Sequence, residues 1–204
     1  YPTAAADAPC RCDDASVEPA DPSPDPLPSP PTLRTGELVL RPWRWTDAPA
    51  VLAACQDPEI ARWAGIPMPF GADEALAFLD GADTLWRDGA GAPFAITDAV
   101  TGALLGAITR FGPEGHRATL GCWVTAAARG RGVGTAAIRL ITDWTFAITD
   151  VTRVEAFILA GNEPSHRMMA RAGFTREGLL RAWDLGPDGQ PADCVSWCRL
   201  RTDP

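Results

Sequence analysis

The chain has no lysine; all 18 of its basic residues are arginine. A Walker A nucleotide loop needs a lysine after its last glycine, so that class is excluded, as is a lysine Schiff base. Tyrosine occurs once, at Tyr1, which leaves no phenol in the body of the chain to act as an acid. No apolar run approaches the roughly 18 residues of a spanning helix, so no membrane partner is expected. The start of the chain lacks the basic and apolar stretches of a secretory leader. Six cysteines and two histidines show neither a C-x-x-C pair nor zinc-ligand spacing. Reduced thiols, a cytoplasmic location and no metal site are the expectation.

The net charge of −8 is unevenly spread. Residues 1–32 hold six acids (Asp7, Asp13, Asp14, Glu18, Asp21 and Asp25) against Arg11, leaving only −3 for residues 33–204. Nucleic-acid binding rests on neutralising phosphates, so an acidic, lysine-free chain excludes it. A cationic substrate is mildly favoured. Residues 1–32 also contain nine prolines and few large apolar groups. Such a segment cannot bury enough surface to order itself, and a disordered or polyproline tail is expected. Residues 33–204 suit one domain, with eight tryptophans available for its core.

Within that domain, Glu37–Trp43 reads as a first strand and Thr46 as the N-cap of a helix over 47–56. Apolar spacing at Leu76, Leu79, Leu85 and Trp86 predicts a helix over Ala72–Arg87. Strand patterns follow at Ala92–Thr97, Gly102–Phe111 and Arg117–Val124, with links short enough for an antiparallel meander. Ala137, Ile141, Trp144 and Ile148 mark one face of a helix that starts near Thr135. Val154–Leu159 is a strand, Glu163–Ala172 a helix that Gly173 can cap, and Phe174–Arg181 with Ala192–Leu200 a closing hairpin. The class is α+β with one strand–loop–helix–strand crossover.

The segment Arg129-Gly130-Arg131-Gly132-Val133-Gly134-Thr135 joins a strand to a helix with three glycines in five positions. Glycine admits positive φ and brings no Cβ, so successive N–H groups can line one concavity at a helix N-terminus. With the helix dipole and two guanidinium groups, that concavity suits a phosphate. The plainer alternative is a tight turn with two solvated arginines. Gly132-Val133-Gly134-Thr135-Ala136-Ala137 also fits the dinucleotide fingerprint G-x-G-x-x-A. That fingerprint follows its strand directly and has an acid closing the next strand. Here 125–128 intervene and Glu155 stands near that strand's beginning, so a nicotinamide enzyme is disfavoured.

Arg129-x-x-Gly132-x-Gly134 after a strand resembles the acetyl-coenzyme A signature of the GCN5-related N-acetyltransferases. Three further segments are similar to the ribosomal-protein N-terminal acetyltransferase (RimJ/RimL) branch: Leu38-Val39-Leu40-Arg41-Pro42, Leu120-Gly121-Cys122-Trp123-Val124, and Gly161-Asn162-Glu163-Pro164-Ser165 with Ala172-Gly173-Phe174. The resemblance covers about 170 residues. It implies a mostly antiparallel mixed sheet, splayed between its fourth and fifth strands and flanked by helices.

The resemblance further implies acetyl-coenzyme A as cosubstrate. Arg129, Gly130, Arg131, Gly132, Val133, Gly134 and Thr135 would hold its pyrophosphate. Trp123, Val124 and Asn162 would line its pantetheine arm, the Val124 N–H serving the developing oxyanion. A helix N-cap is an alternative or additional role for Asn162. Ser165 would protonate the leaving thiolate; its alternative is a first-turn residue capping the backbone. Two positions depart from the pattern: Met169 stands where many members have a tyrosine acid, and Thr119 where this branch often has a glutamate. His166, Glu163 or a water chain are the substitutes, although His166 reads more readily as a solvated helix residue. The implied reaction is direct attack of a primary amine, from a protein N-terminus or a small molecule such as a polyamine, on the thioester. A non-catalytic acyl-coenzyme A sensor is the alternative. Acceptor specificity would fall to loops around Trp63–Phe70 and Trp183–Ala192, where Trp63, Met68 and Phe70 either line an aromatic pocket or, the commoner fate of such residues, pack into the core. Both monomer and homodimer are compatible with the residues.

Overall fold

The computed structural model describes residues 30–204; residues 1–29, most of the expected tail, lie outside them. Eight strands form one sheet: β1 (Leu33–Thr35), β2 (Leu38–Arg41), β3 (Gly91–Asp98), β4 (Leu104–Glu114), β5 (Arg117–Val124), β6 (Arg153–Leu159), β7 (Thr175–Leu185) and β8 (Pro191–Leu200). Their order is β1-β2-β3-β4-β5-β6-β8-β7, antiparallel throughout except for the parallel pair β5–β6. Five helices accompany it: α1 (Ala48–Cys55), α2 (Pro58–Trp63), α3 (Ala72–Arg87), α4 (Val133–Ile148) and α5 (Glu163–Arg171). Helix α4 is the expected crossover. It connects the parallel neighbours, as such a pairing requires.

The main core lies between one sheet face and α4 with α5. Leu38, Leu40, Phe94, Ile96, Ile108 and Val154 meet Ala137, Ile138, Ile141 and Met169 there, nearly all fully buried. Trp86 of α3 joins this layer through edge-on contacts with Phe94 and Trp144, at centroid distances of 5.3 and 6.3 Å. A second cluster, Val51, Cys55, Phe70, Ala75 and Leu79, binds α1 to α3.

Three expectations are corrected. Thr46 caps no helix: it lies inside a short 3-10 turn, Trp45–Asp47, held where Arg41 grips the Asp47 carboxylate with two 2.8 Å hydrogen bonds. Helix α2 and strand β1 were not anticipated, β1 being only three residues long. The α2 start was visible, because Asp57 accepts from the Glu59 N–H at 2.9 Å ahead of Pro58 in the first helical position. The closing hairpin is also longer than its sequence pattern, since β7 runs on to Leu185 with register shifts on the way. With β1 counted, the expected fourth and fifth strands are β5 and β6.

Candidate active site

Strands β5 and β6 pair only at Arg117–Arg153, Ala118–Val154 and Thr119–Glu155, and separate beyond. The Thr125 N–H bonds the Leu105 carbonyl at 2.9 Å. Antiparallel alternation then turns the backbone groups of Cys122 and Val124 away from β4, toward β6. On the other side, the Ala160 N–H bonds the Asp193 carbonyl of β8 at 2.8 Å, so Phe157 and Leu159 turn toward β5. The sheet thus contains a splay whose two inner edges offer main-chain donors and acceptors.

The glycine loop stands at the open end of this splay. A 3-10 turn, Ala126–Ala128, leads into it; Gly130 and Gly132 have φ of 74° and 78°, and Gly132 is the N-cap of α4. A serine or aspartate cap would occupy the first N–H groups of the helix. Glycine has no side chain to do so. The six N–H groups from Gly130 to Thr135 bond no acceptor among the described residues, and the first regular bond is Ala136 N–H to the Gly132 carbonyl, 3.0 Å.

The residues expected around this loop sit in unequal settings. Arg131 is exposed. Arg129 is half-exposed and pairs with Asp57 at 2.6 Å, tying the loop to the start of α2. Gly134 is buried, and a Cβ there would meet the Met168 thioether of α5 and Val124 at 3.2 Å. A side chain at Gly134 would therefore enter the α4–α5–β5 packing. Trp123 and Val124 close β5, both half-buried.

Across the splay, Asn162 is 8% exposed and caps α5, its Oδ1 accepting from the Ser165 N–H at 3.3 Å. Its side-chain amide group donates to none of the described residues. The Ser165 hydroxyl bonds none of the described residues, and the capping of this helix end belongs to Asn162, not to Ser165. At the far end of α5, Gly173 has φ 91° and the Gly173 and Phe174 N–H groups bond the Ala170 and Met169 carbonyls at 3.2 and 3.1 Å. That is a Schellman cap, and it fixes the axis of the helix carrying Ser165.

His166 is not solvated. Its Nδ1 accepts from the Trp197 indole N–H at 3.1 Å, and its Nε2 lies 3.2 Å from the Ala160 carbonyl. Both nitrogens are used by the protein, Nδ1 as the acceptor of the indole N–H and Nε2 toward the carbonyl. Met169 is buried in the core. Glu163 is exposed in the first turn of α5. Trp63, Met68 and Phe70 do not gather into one pocket. Phe70 packs into the α1–α3 cluster, Met68 is 58% exposed, and Trp63 donates to Glu59 at 3.0 Å while its ring edge approaches Gly161. On the β7 side Trp183 packs on Phe157, with centroids 5.2 Å apart.

None of the four described cysteines offers a ready nucleophile. Burial pushes the Cys122 thiol up to about 12, and the Cys55, Cys194 and Cys198 thiols up to about 11. A thiolate is the nucleophilic form, so a covalent acyl-cysteine route finds no support here. Among the described residues no helix is long and apolar enough to cross a membrane, and no three His, Cys, Asp or Glu side chains group as metal ligands.

The comparisons agree with this architecture. The family model described as "Acetyltransferase (GNAT) domain" matches residues 37–175. The N-acetyltransferase YoaA of Bacillus subtilis (strain 168) is 26% identical over 165 residues, covering 80% of this chain and 93% of YoaA. Mycobacterium smegmatis RimJ, solved in complex with CoA-disulfide, is 27% identical with a TM-score of 0.71, covering 84% of this chain and 86% of RimJ. The ribosomal-protein-S5-alanine acetyltransferase of Vibrio fischeri has a TM-score of 0.73 at 18% identity, covering 84% and 97%. A splayed mixed sheet, a glycine loop opening the crossover helix and a family match over most of the domain give one result: the chain belongs to the GNAT acetyltransferase family and is an N-acetyltransferase akin to the RimJ/RimL branch.

Proposed function

We propose that the enzyme moves an acetyl group from acetyl-coenzyme A to a primary amine, on a protein N-terminus or a small molecule, by direct attack on the thioester. The observation that carries this reading is the run of unoccupied N–H groups from Gly130 to Thr135, at the mouth of a splay with two main-chain edges. A pyrophosphate suits the first and the amides of a pantetheine arm the second. RimJ, the neighbour solved with a coenzyme A species, supports the choice of cosubstrate.

In this reading the Val124 N–H receives the developing oxyanion and Ser165 meets the leaving sulfur. The side-chain amide group of Asn162 pairs with the arm while its Oδ1 keeps the cap. Arg131 contributes charge to the phosphate, and Arg129 is shared with Asp57. Direct attack fits the protonated cysteines better than a two-step route. With this chemistry goes a cytoplasmic setting, where acetyl-coenzyme A is available.

Calorimetric titration of acetyl-coenzyme A, with NAD as control, tests the cosubstrate. Thiol release with hexapeptides bearing N-terminal serine or alanine, and with spermidine, tests the acceptor. Saturable binding of acetyl-coenzyme A alone, with turnover of one of these amines, is expected. Binding of neither compound would reduce the glycine loop to a turn.

A further inference from the structure

The amine must reach the thioester neutral, so some group has to take its proton, and the sequence leaves that group unassigned. His166 has both nitrogens engaged, Glu163 stands in solvent, and Thr119 cannot act as a base near neutral pH. The structure sets a carboxylate beside Thr119 on the neighbouring strand. Glu155 is its register partner in β6, the last pair before the splay opens. It is 5% exposed. Arg153 Nε holds its Oε2 at 2.7 Å, whereas Oε1 makes no hydrogen bond to the described residues and has a longer ion pair with Arg117, at 3.7 Å. Glu155 and Thr119 line a cleft with Phe111, Glu114 and Arg117 on the face opposite α4. The Phe111 ring covers Gly121, closing one side of this floor.

We propose, on the transferase reading above, that Glu155 is the proton acceptor of the reaction, doing from β6 what a carboxylate at position 119 would do from β5. The acceptor ammonium gives one proton to Glu155 Oε1 through a chain of waters in the cleft, and Glu155 passes it to solvent. The freed nitrogen lone pair forms the N–C bond to the thioester carbonyl carbon. The C–S bond breaks, and the proton still held in excess on nitrogen goes to the leaving thiolate, giving the N-acetylated amine and coenzyme A. Arg153 is shared between Glu155 Oε2 and Glu177, which fixes the carboxylate and leaves Oε1 turned to the cleft.

The test compares wild type with Glu155→Gln, Glu155→Asp and the double variant Thr119→Glu/Glu155→Gln. Each is assayed for acetyl-coenzyme A affinity and for turnover of the serine peptide, the alanine peptide and spermidine. For Glu155→Gln, kcat is expected to fall about a hundredfold with affinity within about twofold, the usual scale of a lost general base. Glu155→Asp keeps the charge but withdraws the oxygens, and a fall of about tenfold is expected. Thr119→Glu should restore at least about tenfold of the loss, since it returns a carboxylate to the same level of the splay. Glu155→Gln turning over within about threefold of wild type would overturn the assignment while leaving the transferase reading intact. If Glu155→Gln no longer binds acetyl-coenzyme A, Glu155→Asp decides, and unchanged kcat there overturns it equally. A wild type that binds acetyl-coenzyme A and acetylates none of the three amines overturns the transferase reading and this assignment together.

Discussion

Among the described residues Arg110 is the largest side chain buried without any exposure, and it forms no ion pair with them. Its Nη1 donates to the Gly112 carbonyl and its guanidinium lies 5.9 Å from the Trp144 ring centroid, but Nε and Nη2 have no partner among the described residues. Burial pulls this group down to about 10. Unpaired buried donors cost stability, whereas an apolar residue of similar length loses nothing by being there. Arg110→Met should therefore unfold no more easily than wild type, with a gain of up to about 2 kcal/mol in urea melts. A loss of more than about 1 kcal/mol would mean that the cation–π contact outweighs the missing bonds. Ser165 presents the opposite case, a polar group whose value lies outside the fold. Because its hydroxyl serves no cap, Ser165→Ala should leave the melting temperature unchanged and lower kcat by about tenfold or more, with acetyl-coenzyme A affinity held. Unchanged turnover would remove Ser165 from the reaction.

At the scale of elements, legibility followed how local the cause was. Helix α3 and strand β5 were bounded correctly because apolar spacing and adjacent turn residues define them within their own length. The glycine loop was legible for the same reason, since positive φ at Gly130 and Gly132 is a property of those residues. What depended on distant partners was hidden. The Arg129–Asp57 pair and the burial of Gly134 against Met168 exist only once α2 and α5 have docked. His166 was read as solvated because nothing in α5 foretells Trp197 of β8 across the layer. Strands β6, β7 and β8 carry another such long-range assembly. Arg153 holds Glu177 of β7 and draws its carboxyl from 4.5 to about 2, with the Cys198 thiol also donating to it at 3.1 Å. A folded-state value below the unfolded one means stability that is complete above 4.5 and lost as pH falls toward 2. Urea melts of wild type and Glu177→Gln should accordingly differ at neutral pH and converge on acidification. A difference that stays constant would show that Glu177 acts through packing alone.

For the whole molecule, the cosubstrate and the fold are thermodynamically linked. A ligand held on both inner edges of the splay binds only the folded chain, and at a hundred times its dissociation constant contributes about 2.7 kcal/mol. For a domain of this size that corresponds to a rise in melting temperature of roughly 5–10 °C, readable by thermal denaturation with and without acetyl-coenzyme A. No rise at saturation would be incompatible with the proposed placement. The family's general plan was readable in advance because its motifs are spaced over the whole domain, from Leu38 to Phe174. The nearness of Glu155 to Thr119 was not, because it exists only once β5 and β6 have paired.

The brevity of the β5–β6 pairing has a mechanical side. In a continuous sheet every ladder shares a load in parallel. Here all ladder bonding between a block of five strands and a block of three passes through three residue pairs, 117–119 with 153–155. Tension across the strands concentrates on that short seam, so the sheet behaves as two leaves of a book with the spine running past Glu155.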